Sequence, residues 1–241
     1  GSKKILEHGV LVMEYLPGHA MDYHTELMLA APCLADIHSV PIPESEEILI
    51  HPQNPLKAIL EECEEMFKVY LESPLGDGEK KTYIRELLDL GWKREAEIQL
   101  ESGYQCCINT ELNSTNLLIN GEEKSNYLID WEKPLFGNPA QDLGHFLAPT
   151  TTFWKTDVIL TSEEIEKFID AYIKAVGNRF KTDMIREHTH AFIPITCLRG
   201  ITWCAMAWVQ YQQPDKLIFN ESTFKKLNSY LDICLLYTSD A

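Results

Sequence analysis

The residues with chemistry to offer are concentrated between Cys106 and Glu132. One stretch reads Asn109-Thr110-Glu111-Leu112-Asn113-Ser114-Thr115-Asn116, a carboxylate with an asparagine five residues on. A second reads Tyr127-Leu128-Ile129-Asp130-Trp131-Glu132, an apolar run ending in a carboxylate. Phosphoryl transfer asks a protein for these groups. A carboxylate receives the proton of the attacking hydroxyl, while an amide oxygen and a second carboxylate hold Mg²⁺ on a triphosphate. Mg²⁺ prefers a few oxygen ligands, its own waters and phosphate oxygens. Glu111 suits the first role, and Asn116 and Asp130 suit the second. Glu132 reads equally as a further metal ligand or as a surface glutamate.

Each residue also has a plainer reading. Glu111 can be a solvated loop glutamate, and Asn116 a turn residue. Asn113-Ser114-Thr115 matches a glycosylation sequon, which matters only in a secreted protein. The interval from Glu111 to Asn116, with a carboxylate downstream at the end of an apolar run, favours the chemical reading. A bare carboxylate at the end of a buried strand is costly without a cation or donors to satisfy it.

These pieces resemble the catalytic and metal-binding segments of the aminoglycoside phosphotransferase and choline kinase superfamily, which has a protein-kinase-like fold. There the catalytic loop reads His-Gly-Asp, four residues, Asn. An Ile-Asp-Phe/Trp-Glu segment follows, then a Pro-containing turn and an Asp-Leu pair opening a helix. This chain has Glu111 to Asn116 at that spacing, Ile129-Asp130-Trp131-Glu132, and Gly137-Asn138-Pro139-Ala140-Gln141-Asp142-Leu143. It departs at two places: Asn109 stands for the His, and Glu111 for the catalytic Asp.

The resemblance implies more. Asp142 would accept hydrogen bonds from the catalytic-loop backbone, with Asn109 as a second supporting residue. Leu11-Val12-Met13-Glu14-Tyr15-Leu16-Pro17-Gly18 is similar to the last strand of the small lobe and the hinge that holds adenine. Backbone groups around Glu14, Tyr15 and Leu16 would then contact the base. ATP and Mg²⁺ are the implied cofactors, and a small-molecule hydroxyl compound the acceptor. The family's phosphate-covering loop and strand lysine precede the hinge, and only eight residues precede Gly9. The chain is therefore expected to be a fragment lacking most of the N-terminal lobe and inactive alone, with Lys3 and Lys4 given no role. The tail from Leu235 onward resembles adapter read-through and is expected to be non-native.

Composition sets outer bounds. The 241 residues can bury a sizeable core. Lys plus Arg is 21 against 37 Asp plus Glu, a formal net charge of −16. That argues against nucleic acid, whose phosphates need clustered Lys and Arg. It is compatible with a cationic acceptor, although solubility is the plainer account. Seven cysteines, with no paired zinc spacing, read as reduced thiols of a cytoplasmic protein. No signal peptide is visible. Ala191–Val209 is almost continuously apolar but contains Pro194, Arg199 and Gly200, which reads as a buried helix and not a membrane span.

The elements that must position these residues follow from periodicity and punctuation. Gly9–Tyr15 reads as a buried strand. Asp22–Val40 reads as a helix that Pro32 should kink or split. Asn54-Pro55 opens a helix, a capping side chain before Pro, whose Glu61, Glu62, Glu64 and Glu65 form a solvated face or a wall for a cationic substrate. Glu79–Glu101 reads as a third helix. Tyr104–Ile108, Leu117–Ile119 and Tyr127–Asp130 are strand-like, with Asn120-Gly121 as a turn. Thr161 and Glu164 form a capping box, and Gly177 closes that helix. Thr182–Gln212 reads as one long helix or two broken at Pro194, and Ser222 opens a last one. His188 and His190 read as exposed. Trp131 and Trp154 read as core aromatics or as a cation–π wall.

The expectation is an α+β, protein-kinase-like large lobe, mainly helical with a small hairpin at the catalytic site. Residues 1–18 are assigned to a small-lobe remnant and 19–234 to the catalytic lobe. The implied activity is ATP-dependent phosphorylation of a hydroxyl on an amino sugar, choline-like alcohol or related metabolite. A non-catalytic nucleotide-binding member of the same fold is the alternative, and a chance match in an unrelated helical binding domain a third.

Overall fold

The computed structural model describes residues 12–42, 49–98, 100, 103–213 and 220–237. The expected positions at Gly9–Leu11, Lys3, Lys4 and Thr238–Ala241 lie outside them. The fold is α+β and mainly helical, with two small sheets. The helices are α1 (Leu27–His38), α2 (Pro55–Glu72), α3 (Gly78–Glu97), α4 (Pro139–Leu147), α5 (Pro149–Thr156), α6 (Ser162–Val176), α7 (Ile185–Tyr211) and α8 (Glu221–Tyr237). The strands are β1 (His19–Ala20), β2 (Cys106–Ile108), β3 (Leu117–Ile119), β4 (Tyr127–Leu128) and β5 (Leu135–Gly137).

Local chemistry starts several helices where expected. The Asn54 side chain accepts from Lys57 N at 3.0 Å and Pro55 opens α2. Thr161 and Glu164 satisfy each other's backbone N–H groups at the start of α6. Pro32 does not split α1, and α7 follows the first of its two readings, one long helix running unbroken through Pro194. Both helices are packed along much of their length, which offsets one lost backbone bond. The α1 helix starts at Leu27 because Asp22 and Glu26 hold the preceding turn with side-chain acceptors, His24 N to Asp22 and Asp22 N to Glu26.

The glutamates on α2 are not a uniformly solvated face. Glu64 takes both guanidinium nitrogens of Arg85 at 2.8 Å, and Glu62 pairs with Arg199 at 2.8 and 3.2 Å. His188 is buried, not exposed, and its Nδ1 meets Asn138 Nδ2 at 2.8 Å; His190 is exposed as expected. Residues Val12–Gly18 form no strand, and Val12, Met13 and Tyr15 are exposed. A strand needs a pairing partner, and none of the described residues pairs with them.

The α7 helix is the spine, packed against α2, α4, α5 and α8. It is long and apolar enough to cross a membrane, yet it lies in the core with Phe192, Ile195, Ile201 and Ala205 buried. Its crossing with α4 is very close. A Cβ on Gly144 would stand 2.4 Å from Phe192 Cβ, so only glycine allows this approach. That contact sets His145 of α4 beside Thr196 and Arg199 of α7.

Candidate active site

Two antiparallel pairings bring the chemical residues together. In the first, β2 pairs with β5, Cys106 facing Gly137 and Ile108 facing Leu135. The chain leaves β2 at Ile108 straight into Asn109. In the second, β3 pairs with β4, Leu117 facing Leu128. A short 3₁₀ turn, Ser114–Asn116, feeds β3, and β4 leads to Asp130. The strand stops at Leu128, and Asp130 itself is exposed. The expectation of a carboxylate left dry at a buried strand end is therefore corrected: Asp130 stands at the mouth of a cavity.

The loop between β2 and β3 is fixed from below by one buried carboxylate. Asp142 Oδ2 accepts Asn109 N and Oδ1 accepts Thr110 N, both at 2.7 Å. Two charge-assisted bonds from adjacent amides define the loop's path. Asp142 also meets His38 Nε2 at 3.3 Å, and His38 Nδ1 lies 2.8 Å from the Tyr172 hydroxyl. If Nε2–H donates to Asp142, Nδ1 accepts from Tyr172, so one tautomer satisfies the whole buried set.

Asn109 ties the two halves of the site. Its Nδ2 donates to the Asp130 carbonyl at 3.0 Å, and its Oδ1 accepts Glu111 N at 3.1 Å. Thr110 and Asp130 have φ of 68° and 64°. Left-handed backbone is costly for any residue with a Cβ, and most of all for a β-branched one, so the surrounding hydrogen bonds must hold it. Thr110 Oγ1 helps by donating to the Lys133 carbonyl at 3.1 Å.

Glu111, Asn116 and Asp130 line one cavity of about 370 Å³. Asn116 Nδ2 donates to the Glu111 carbonyl at 3.2 Å, which commits the amide nitrogen to the protein and leaves Oδ1 available. Asn113 Nδ2 donates to the same carbonyl at 2.9 Å. Neither the Glu111 nor the Asp130 carboxylate has a hydrogen-bond or ion-pair partner among the described residues. Two unpartnered carboxylates and an oriented amide oxygen form an oxygen donor set suited to a hard cation and a reacting hydroxyl.

The other expected residues are placed differently. Glu132 is exposed and does not line this cavity, nor does Trp131, whose Nε1 donates to the Leu128 carbonyl at 3.0 Å. Trp154 does line it, set edge-on to Trp203 with centroids 5.4 Å apart. Glu14 and Tyr15 are exposed and Leu16 is half-buried. Their segment is anchored just after them: Asn120 Nδ2 donates to the Pro17 carbonyl at 3.1 Å, and β1 pairs with β3. Met21 N then reaches the Ser114 and Leu117 carbonyls at 3.0 and 3.1 Å, so the segment runs directly onto the Ser114–Asn116 turn.

Two cavity residues had no signal in the sequence. His145 is half-buried in the cavity wall, and burial, reinforced by the charge of Arg199 and partly opposed by Asp142, lowers its pKa to about 4. Arg199 is largely buried. Burial lowers its pKa, but the Glu62 carboxylate outweighs that, with Glu111 adding to the net rise. Only the α4–α7 crossing makes these two neighbours.

Residues 2–187 match the model of the phosphotransferase enzyme family. No curated protein matches the sequence. Among solved structures, spectinomycin phosphotransferase in complex with ADP and spectinomycin superposes with a TM-score of 0.57 at 17% identity, over 92% of this chain and 68% of that one. Plasmodium vivax ethanolamine kinase gives 0.58 at 15%, over 95% and 65%. Choline kinase from Cryptosporidium parvum gives 0.58 at 16%, over 94% and 70%. The chain thus spans about two thirds of the length of these structures. At such identities the likeness establishes the kinase-like fold.

Proposed function

Because the chain belongs to the phosphotransferase enzyme family, we propose that the protein containing it transfers the γ-phosphoryl group of ATP to a hydroxyl of a small molecule. One observation carries this reading. Glu111, Asn116 and Asp130, from three separate positions of the sequence, line a single cavity with both carboxylates unpartnered among the described residues.

The roles follow from the geometry. Glu111 receives the proton of the acceptor hydroxyl as its oxygen bonds to the γ-phosphorus and the bond from that phosphorus to the bridging oxygen of ADP breaks, ADP leaving with the electron pair. Asn116 Oδ1 and Asp130 would hold Mg²⁺, which when bound neutralises charge on the β- and γ-phosphates. Glu132 is a weaker candidate for that task because it stands outside the cavity. Asp142 and Asn109 hold the loop so that Glu111 and Asp130 are positioned before substrate arrives, which lowers the cost of reaching the reactive arrangement. The backbone of Glu14–Leu16 is assigned to the adenine base, on the strength of its anchorage to the catalytic-loop turn.

Glu111 has one methylene more than the aspartate usual at this place. In a loose, largely dissociative transfer the base contributes less than positioning and charge neutralisation, so the longer side chain is compatible with turnover. The test uses the full-length protein, γ-labelled ATP, and a panel of hydroxylated amines, alcohols and sugars. Label should enter an acceptor in a Mg²⁺-dependent manner, and Glu111→Gln should lower the rate by about a hundredfold. Tight Mg²⁺-ATP binding with no transfer to any acceptor would instead identify a nucleotide-binding protein.

A further inference from the structure

The catalytic cavity has a back wall. His145, Thr196 and Arg199 line it and also line a second cavity of about 260 Å³ on the other side, next to Glu62 and Thr110. Arg199 is held in that wall by its two bonds to Glu62. His145 is not held in this way: no described residue makes a hydrogen bond or ion pair with its ring. The half-buried ring faces the cavity with neither nitrogen committed to the protein, so both are open to a bound molecule. Burial and the adjacent guanidinium keep this ring neutral at ordinary pH, so it offers one N–H donor and one nitrogen acceptor. A hydroxyl group, itself both donor and acceptor, is the complementary partner.

We propose that His145 hydrogen-bonds a second hydroxyl of the acceptor, and so selects uncharged polyhydroxylated compounds over alkylammonium alcohols that have a single hydroxyl. This rests on the cavity being the acceptor site of a phosphotransferase. Charge points the same way. In the reaction Glu111 faces the reacting hydroxyl and Asp130 the metal. The Arg199 guanidinium is balanced by Glu62, so the unpaired charged side chain left to face the rest of the acceptor is the cation Lys155. Lys155 is exposed and has no ion pair among the described residues. An ammonium group there would meet like charge. The aromatic wall does not require a cation either. Trp154 sets its ring edge-on to Trp203 and Tyr230, each with centroids 5.4 Å apart. Such a surface also accommodates the C–H face of a sugar or cyclitol.

The experiment uses the full-length protein and measures acceptor binding by tryptophan fluorescence, which needs no turnover, alongside KM and kcat. The probes are glucose, inositol, their single-deoxy analogues, choline and ethanolamine. In the wild type at least one polyol should bind more tightly than choline, and one deoxy analogue should bind about tenfold less tightly than its parent, the order of one hydrogen bond. His145→Phe should lose that discrimination, binding parent and deoxy analogue alike, while Mg²⁺-ATP affinity is unchanged. His145→Gln, which keeps a donor and an acceptor, should retain part of it.

Wild-type binding that favours choline, or a deoxy penalty that persists undiminished in His145→Phe, would overturn the proposal. If the Phe variant fails to fold, the Gln variant and the wild-type deoxy series still decide. Polyol binding without phosphate transfer would count against the phosphotransferase reading and leave the role of His145 standing.

Discussion

The side-chain amide of Asn109 donates to the Asp130 backbone carbonyl at 3.0 Å, while its own oxygen accepts Glu111 N–H at 3.1 Å. One buried side chain thereby joins the loop of the candidate base to the segment of the candidate metal ligand. The family pattern has a histidine here, which the sequence counts as a departure. The structure supplies its physical meaning: an amide can bridge a carbonyl and an N–H in opposite directions at once.

Asn109→Ala should therefore damage both stability and rate. It leaves one carbonyl and one N–H without protein partners at part-buried positions, a loss of about 1 kcal/mol each. Thermal unfolding should show a midpoint lowered by several degrees, on the order of 2–4 °C per kcal/mol for a chain of this size. The rate should fall further than the stability loss explains, because Glu111 and Asp130 lose their common anchor. An unchanged midpoint would mean that the bridge is dispensable.

Asp142→Asn tests the clamp below the loop. The carboxylate receives two backbone N–H groups at 2.7 Å, and an asparagine has one oxygen to offer where two are needed. Its NH₂ would face a backbone donor. A loss of about 2–4 kcal/mol is expected in urea unfolding, in the range for breaking a buried charge-assisted set. A loss near zero would show that the loop holds itself.

The site was legible in the sequence where its signals are local, and less so where packing makes them. Asn54-Pro55, the Thr161–Glu164 box and the interval from Glu111 to Asn116 are all short-range patterns, and the structure builds a cap, a capping box and a common cavity from them. Strand β5 had no such signal. It is three residues long and exists because Leu135–Gly137 finds β2, far back in the chain. His145 and Arg199 are silent for the same reason, since each lies on its own helix until Gly144 lets α4 and α7 meet. His188, judged exposed from its spacing to His190, is buried because the first turn of α7 packs at the start of α4 beside Asn138.

Gly144→Ala should disturb that meeting. The added methyl would stand 2.4 Å from Phe192 Cβ and 3.2 Å from the Ile193 amide, neither of which is a flexible end. Overpacking of this kind costs about 1–3 kcal/mol. Asp142 and His145 share α4, so Michaelis constants for acceptors should rise together with the loss of thermal stability. Wild-type stability in the alanine variant would mean that the two helices can separate at little cost.

The Glu64–Arg85 ion pair gives a pH dependence with a defined sign. The Arg85 guanidinium lowers the Glu64 pKa, burial opposes it, and the Trp92 N–H at 3.0 Å lowers it further. A carboxylate with a depressed folded-state pKa stabilises the fold above its unfolded pKa, about 4.3, and that contribution is lost as pH falls through the folded value. The stability gap between wild type and Glu64→Gln should therefore be constant from pH 8 to about 6 and close below about pH 4. The gap should be small throughout, because both partners are partly exposed and screened. A gap that widened in acid would have the wrong sign for this pairing.

Asp130→Asn separates metal holding from base chemistry. The substitution keeps size and removes charge at a carboxylate that has no partner among the described residues, so little stability should be lost. Its φ of 64° also suits asparagine, which tolerates left-handed backbone better than most residues. If Asp130 holds Mg²⁺, the metal concentration for half-maximal turnover should rise by on the order of tenfold or more, equivalent to about 1.4 kcal/mol of lost attraction. Glu111→Gln should instead lower the maximal rate and leave the Mg²⁺ requirement near the wild-type value. Titrating Mg²⁺ against initial rate in both variants distinguishes the roles. The same shift in both would mean that the two carboxylates act as one metal-binding unit and that the proton goes elsewhere.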